Sequence, residues 1–380
     1  MPSPSKHSTP HRQEINRLQR LHDAGVSIWL DTLSRDLLAG GEFDRLIADR
    51  AVTGATSNPT IFAKAITGSD LYDEQLRDAA ARGIEDLREL FFALALDDVR
   101  DAADRLRGAH DASGGRDGFV SFECTPDLAD DTAATIEQAT DLWRRLARRN
   151  VMIKVPATAA GIPAIEELTT RGVNVNVTLL FSVDRYEQVI DAYLAGLERR
   201  LAAGQTVDAI ASVASFFVSR VDVKADASLP AGSPLRGEIA VANARRAYGR
   251  YRRRFAGERW RVLQDAGAKP QRPLWASTAT KDPAYSDVLY VESLIAPGVI
   301  NTMPMSTLEA FADHGAIRLM DDDDEVHAEE ILRRAQAADI DLAQLTAQLT
   351  DDGVRAFCDS YEQLLSCIGS RVARVRAAAA

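Results

Sequence analysis

Short runs rich in apolar and β-branched residues recur along the whole chain, and nearly every one is followed by a longer stretch of helical period. The runs cover residues 26–30, 52–57, 119–122, 151–153, 173–178, 210–217, 273–277 and 299–303. A strand, a helix and another strand in sequence predict parallel pairing, because a parallel crossover needs a covering element. About eight such units predict an α/β fold closed into a (β/α)8 barrel rather than an open sheet. No GxGxxG or Walker pattern follows any run, which argues against an open nucleotide-binding sheet. A helical extension is expected before the first strand. The segment at about 225–260 opens Gly/Pro/Ser-rich and continues as a helix, so it reads as an insertion between strands six and seven. Residues 13–376 are expected to form one barrel domain, and 1–12, rich in Pro and Ser, a disordered tail.

Charge and composition exclude several classes of function. The 380 residues carry a formal net charge of −11, so no overall basic field favours nucleic acid or an anionic membrane. No apolar run approaches the ~18 residues of a membrane helix. The first twelve residues hold no apolar segment, so a secretory leader is not expected. Cys124, Cys358 and Cys367 form no CxxC pair, which fits a reducing cytosol and a cytoplasmic protein. Two charge clusters invite other readings. RRAYGRYRRRF at 245–255 reads better as a solvated helix face than as a polyanion site. DDDDE at 321–325 lacks the spaced ligands and glycine of a calcium loop and reads as acids at a helix N-terminus.

In a barrel, the C-terminal ends of the strands and the loops after them build the active site. The polar residues at those ends are Asp31, Asn58, Glu123, Lys154, Asn176 with Thr178, Ser215 and Ser277. Singly, each has a bland explanation: a snorkelling lysine, a helix cap, a turn. Together they form a constellation with one lysine among carboxylates and amides. A desolvated amine gives up its proton more readily and then attacks carbonyls. A lysine Schiff base flanked by Asp31 and Glu123 suits carbon–carbon bond chemistry on a polyhydroxylated carbonyl compound. Arg220, five residues past Ser215, and Lys281, four past Ser277, are candidates to hold a phosphate. No His or Cys cluster supplies a metal site, and the lysine needs no cofactor to act as electron sink.

At these residues the sequence resembles the transaldolase family, in the longer form typical of actinobacteria and cyanobacteria. The matching segments are VSIWLD (26–31), GATSNPTIF (54–62), SFE (121–123), IKVPAT (153–158), NVTLLFS (176–182) and SFFVSR (215–220). WAST (275–278), KDPAYSD (281–287) and NTMP (301–304) complete the set. The resemblance implies transfer of a dihydroxyacetone unit between sugar phosphates of the pentose phosphate pathway. It assigns the Schiff base to Lys154, a catalytic water to Glu123 and Thr178, and the C4-hydroxyl proton to Asp31. It gives Asn58, Asn176 and Ser215 to the dihydroxyacetone moiety, Phe217 to the pocket wall and Arg220 to phosphate. Where shorter transaldolases carry a second phosphate arginine after the seventh strand, this chain offers Lys281. The expected partners are sugar phosphates alone, with no nucleic acid and no membrane, in a monomer or homodimer. The alternatives are an aldolase that releases free dihydroxyacetone and a non-catalytic barrel scaffold. A glutamate rather than a tyrosine near the catalytic water favours the transferase by the same resemblance.

Overall fold

A computed structural model of the chain describes residues 16–379, so the tail expected over 1–12 lies outside the described residues. Eight strands alternate with helices: β1 (Ser27–Leu30), β2 (Val52–Thr56), β3 (Val120–Glu123), β4 (Val151–Pro156), β5 (Val175–Leu180), β6 (Ser212–Phe217), β7 (Arg272–Ala276) and β8 (Ile300–Met303). They form a closed barrel in sequence order, and β1 pairs with β8 in parallel to shut it. Almost every strand residue is buried, because helices cover the outer face while side chains fill the inside. Helix starts are marked by local chemistry. Asn16, Asp86, Asp131 and Ser182 each accept a backbone N–H of the first helical turn.

The two charge clusters turn out to be partners. Three helices lie between β6 and β7: Ser219–Asp226, Ile239–Arg254 and Glu258–Asp265. The second carries the basic run. Its Arg245, Arg246 and Arg252 pair with Asp324, Glu329 and Asp322 at 3.0, 2.6 and 2.8 Å. Those acids belong to the helix Asp322–Ala337, whose start is a capping box between Asp321 and Asp324. The exposed pairs contribute little each, about 0–1 kcal/mol, and salt screens them. What they do is orient two amphipathic helices, so neither cluster is left free to take a separate ligand.

The N-terminal end of the barrel is plugged. Trp29 is fully buried, and its Nε1 donates to Asp117 at 2.8 Å. Asp117 also accepts from the Ser27 hydroxyl. Arg272 donates to that hydroxyl at 2.7 Å and to the carbonyls of Gly298 and Val299 at 2.8 and 3.0 Å. At the other end runs the helix Leu342–Ala379, which touches the helices Pro59–Gly68 and Ser219–Asp226, the turn Pro126–Leu128 and β5. Asp352 pairs with Lys224 at 2.8 Å, and the Thr60 hydroxyl bonds Ser360 at 2.8 Å. Among the described residues no helix is long and apolar enough to cross a membrane.

Gly54 is required by the plug, because a Cβ built there would overlap the Trp29 indole. Gly54→Val should therefore destabilise the protein by about 1–3 kcal/mol, the usual range for overpacking, read as a lower midpoint in urea. Adding Trp29→Leu, which vacates the space, should recover part of that loss.

Candidate active site

Strand register sets the centre of the site. Glu123 lies beside Lys154 across the β3–β4 ladder, and Lys154 lies beside Asn176 across β4–β5. Neighbours in a parallel register point the same way, so the three side chains enter the barrel abreast. The Lys154 Nζ donates to the Ser57 carbonyl at 3.1 Å and stands 3.4 Å from the Glu123 carboxylate. Only 7% of either side chain is exposed. Burial pushes the Glu123 carboxyl above its ordinary range, with the Lys154 ammonium opposing and the Asp31 carboxylate adding to the rise. Such a carboxyl can carry a proton nearer neutral pH than a solvated one.

The remaining groups converge on this pair from other strands. Asp31 follows β1; its Oδ1 accepts from the Thr56 hydroxyl at 3.0 Å, which fixes the carboxylate. Arg220, second residue of the helix Ser219–Asp226, lays its guanidinium 5.0 Å from the Phe217 ring centroid. Burial lowers its pKa against the opposing charges of Asp31 and Glu123, and among the described residues it forms no ion pair. A half-buried guanidinium without a partner suits an anion supplied by a ligand. Asn176 Nδ2 donates to Ser121 Oγ at 2.9 Å, and Ser215 Oγ donates to Asn176 Oδ1 at 2.6 Å. Thr178 is fully buried, and among the described residues its hydroxyl has no hydrogen-bond partner. Next to it β5 bulges, and Leu179 takes φ 53°, a left-handed conformation costly for leucine. The long C-terminal helix covers that point: a Cβ on Gly353 would meet Leu179 at 2.8 Å.

Two expected residues have duties of their own, and a third stands apart. Asn58 is the N-cap of the helix Pro59–Gly68; its Oδ1 accepts from the Ile61 N–H at 3.0 Å, which leaves its amide NH2 for a ligand. Ser277 follows β7 with φ 56°, and its Oγ lies 2.8 Å from that of Ser219, the residue before Arg220. Lys281 is exposed on the loop after β7. Reasoning from residue types missed Thr56, Ser57 and Ser121. Period two could have found Ser121, two residues before Glu123 on the same inward face. Ser57 acts through its carbonyl, which no residue type signals. Among the described residues no cluster of three or more His, Cys, Asp or Glu side chains could hold a metal. A cavity of about 1000 Å³ opens at the N-terminal end, lined by Arg116, Tyr251, Trp260 and Lys269 among others, and none of the candidate residues borders it.

A family model described as Transaldolase/Fructose-6-phosphate aldolase matches residues 28–368. A protein of Frankia alni named Transaldolase is 50% identical over 369 residues, covering 94% of this chain and 98% of that one. Proteins of the same name from Saccharopolyspora erythraea and Thermobifida fusca are 49% and 48% identical. They cover 93% and 94% of this chain, and 97% and 98% of their own lengths.

The unpartnered Thr178 hydroxyl separates chemistry from stability. Thr178→Val removes a buried polar group with no bond to lose, so thermal stability should stay level or rise. Turnover should fall about a hundred-fold, the low end of general acid–base support, because the hydroxyl's partner would be a reacting water. A variant that keeps full activity would remove Thr178 from the site.

Proposed function

The chain belongs to the transaldolase/fructose-6-phosphate aldolase family, and from that premise we propose that it moves a dihydroxyacetone unit from sedoheptulose 7-phosphate to glyceraldehyde 3-phosphate, giving erythrose 4-phosphate and fructose 6-phosphate reversibly. The observation that carries the reading is the buried Lys154 amine 3.4 Å from the Glu123 carboxyl, whose pKa burial raises.

The proposed steps draw on the groups around Lys154. The neutral Lys154 amine adds to the C2 carbonyl of the ketose. Glu123, working with a water bound to Thr178, hands a proton to the departing C2 hydroxyl, and water leaves as the iminium forms. Asp31 takes the proton of the C4 hydroxyl, the C3–C4 bond breaks, and its electron pair moves into the iminium to give an enamine. The aldose phosphate departs. The enamine carbon then attacks the aldehyde of the acceptor, Asp31 returns its proton, and hydrolysis at C2 frees Lys154. Asn176, Ser215 and the free amide of Asn58 bind the dihydroxyacetone hydroxyls. Arg220 and Lys281 hold the phosphate, and Phe217 supports the Arg220 guanidinium from below by a cation–π contact. The reading needs no cofactor and no nucleic acid, and it places the protein in the cytoplasm as a monomer or homodimer.

Borohydride added with fructose 6-phosphate should inactivate the protein and leave a reduced three-carbon adduct on Lys154. An adduct mapped to Lys64 or Lys224 would overturn the assignment. Lys154→Arg should form no adduct, because a guanidinium stays protonated. Asp31→Ala should still trap the ketose yet lose about 10²–10⁴-fold in cleavage. Without an acceptor aldehyde, free dihydroxyacetone should not accumulate over many turnovers; if it does, the protein is an aldolase.

A further inference from the structure

The helix that begins beside Arg220 is fastened to the loop that carries Lys281. Tyr285 Oη donates to Asp226 Oδ2 at 2.6 Å, and Asp226 Oδ1 accepts the Gly237 N–H at 3.3 Å. The Tyr285 ring lies flat on Gly237, which has φ 75°; a Cβ there would come within 3.0 Å of the ring. Arg236 ties the same two segments again. It donates to the Asp226 carbonyl at 2.7 Å and pairs with Asp282, next to Lys281, at 3.4 Å. One turn earlier on the helix, Asp222 accepts from Tyr290 at 2.9 Å and from the Ala240 N–H at 2.7 Å. Both carboxylates are buried. The chain therefore spends two buried acids and two tyrosines on joining the β6 and β7 exits. Plain stability does not ask for this, since buried polar pairs are often no better than apolar packing. A fixed distance between the two exits does ask for it.

We propose that Tyr285 and Asp226 are positioning residues for the phosphate end of the substrate: their strut holds the Lys281 loop against the Arg220 helix and so sets the separation of the two cations. The inference rests on the reading that Arg220 and Lys281 bind phosphate. A phosphate between two cations gains most when both reach it without rearrangement, and a loop left to wander gives back part of that gain as entropy. Among the described residues the Tyr285 side chain makes no hydrogen bond to Lys154, Asn58, Asn176 or Ser215; its hydroxyl goes to Asp226. Its loss should therefore weaken phosphate binding and leave the chemical step in place.

The test uses the full chain with Tyr285→Phe, which keeps the ring on Gly237 and removes only the hydroxyl. Steady-state kinetics are measured with fructose 6-phosphate and with unphosphorylated fructose, both with erythrose as acceptor, so that either donor yields sedoheptulose. Inorganic phosphate serves as a competing probe. Losing the anchor should raise KM for fructose 6-phosphate about three- to ten-fold, the worth of about one hydrogen bond, with kcat changed less than about two-fold. The inhibition constant for inorganic phosphate should rise by a similar factor, while kcat/KM on fructose moves less than about two-fold. Equal losses on both sugars would overturn the inference and make the strut a support of the fold. Arg220→Ala, measured alongside, separates the two levels of the argument. If it discriminates against the phosphorylated sugar and Tyr285→Phe does not, phosphate binding at Arg220 stands and the strut has no part in it. If Arg220→Ala shows no discrimination either, the phosphate reading itself fails and the strut falls with it.

Discussion

An amine and a carboxyl 3.4 Å apart, each almost sealed from water, are what the rest of the molecule serves. Neither group would enter an apolar barrel alone, because an unpaired buried charge costs several kcal/mol. They are admitted together because parallel register puts β3 and β4 side by side and points both side chains inward. The Ser57 carbonyl, just past the end of β2, and the Asn176 amide from β5 complete the surroundings. Four strands thus contribute to one small volume, and closing the sheet is what brings them there. An open sheet would splay the same residues apart along its twist.

Around that centre the polar groups fall into two kinds. Ser121, Asn176 and Ser215 satisfy one another in a chain of short hydrogen bonds and form a rigid wall. Among the described residues Thr178 and Arg220 are left open: a hydroxyl with no hydrogen-bond partner and a guanidinium with no ion pair. Satisfied groups hold shape, and unsatisfied ones hold ligands, which is the usual exchange of stability for function. The strained Leu179 belongs to the same exchange. Its bulge sits between Thr178 and the C-terminal helix, and Gly353 is the residue that lets that helix come close enough to cover it.

Much of this was legible in the sequence, and the reasons differ by residue. The eight strands showed as β-branched runs because both faces of a parallel barrel are buried, leaving the polar residues conspicuous at the ends. Lys154 stood out for that reason, in the middle of an apolar strand. Asn58 illustrates the opposite case. A residue type that both caps helices and binds hydroxyls cannot be apportioned between the two without coordinates. The basic and acidic clusters were each correctly read as helix-surface features, yet their pairing was invisible, since about 70 residues separate Arg252 from Asp322. The course of the helix Leu342–Ala379 was equally hidden. An amphipathic pattern says that a helix has an apolar face and is silent on which surface that face will meet. Ser57 acts through a main-chain oxygen, which every residue possesses.

The Trp29–Asp117–Arg272 plug has a consequence for the fate of the intermediate. With the floor of the barrel filled, Lys154 is left to open toward the other end, the one that the helix Leu342–Ala379 lies across. Water that would discharge the three-carbon fragment and the aldehyde that would accept it must use the same doorway. Whether the fragment is passed on or spilled then becomes a race decided at the rim, by how well the mouth is stoppered while it stands empty. The length of helix lying across that end would set the odds, and the chemistry at Lys154 would have no say in them.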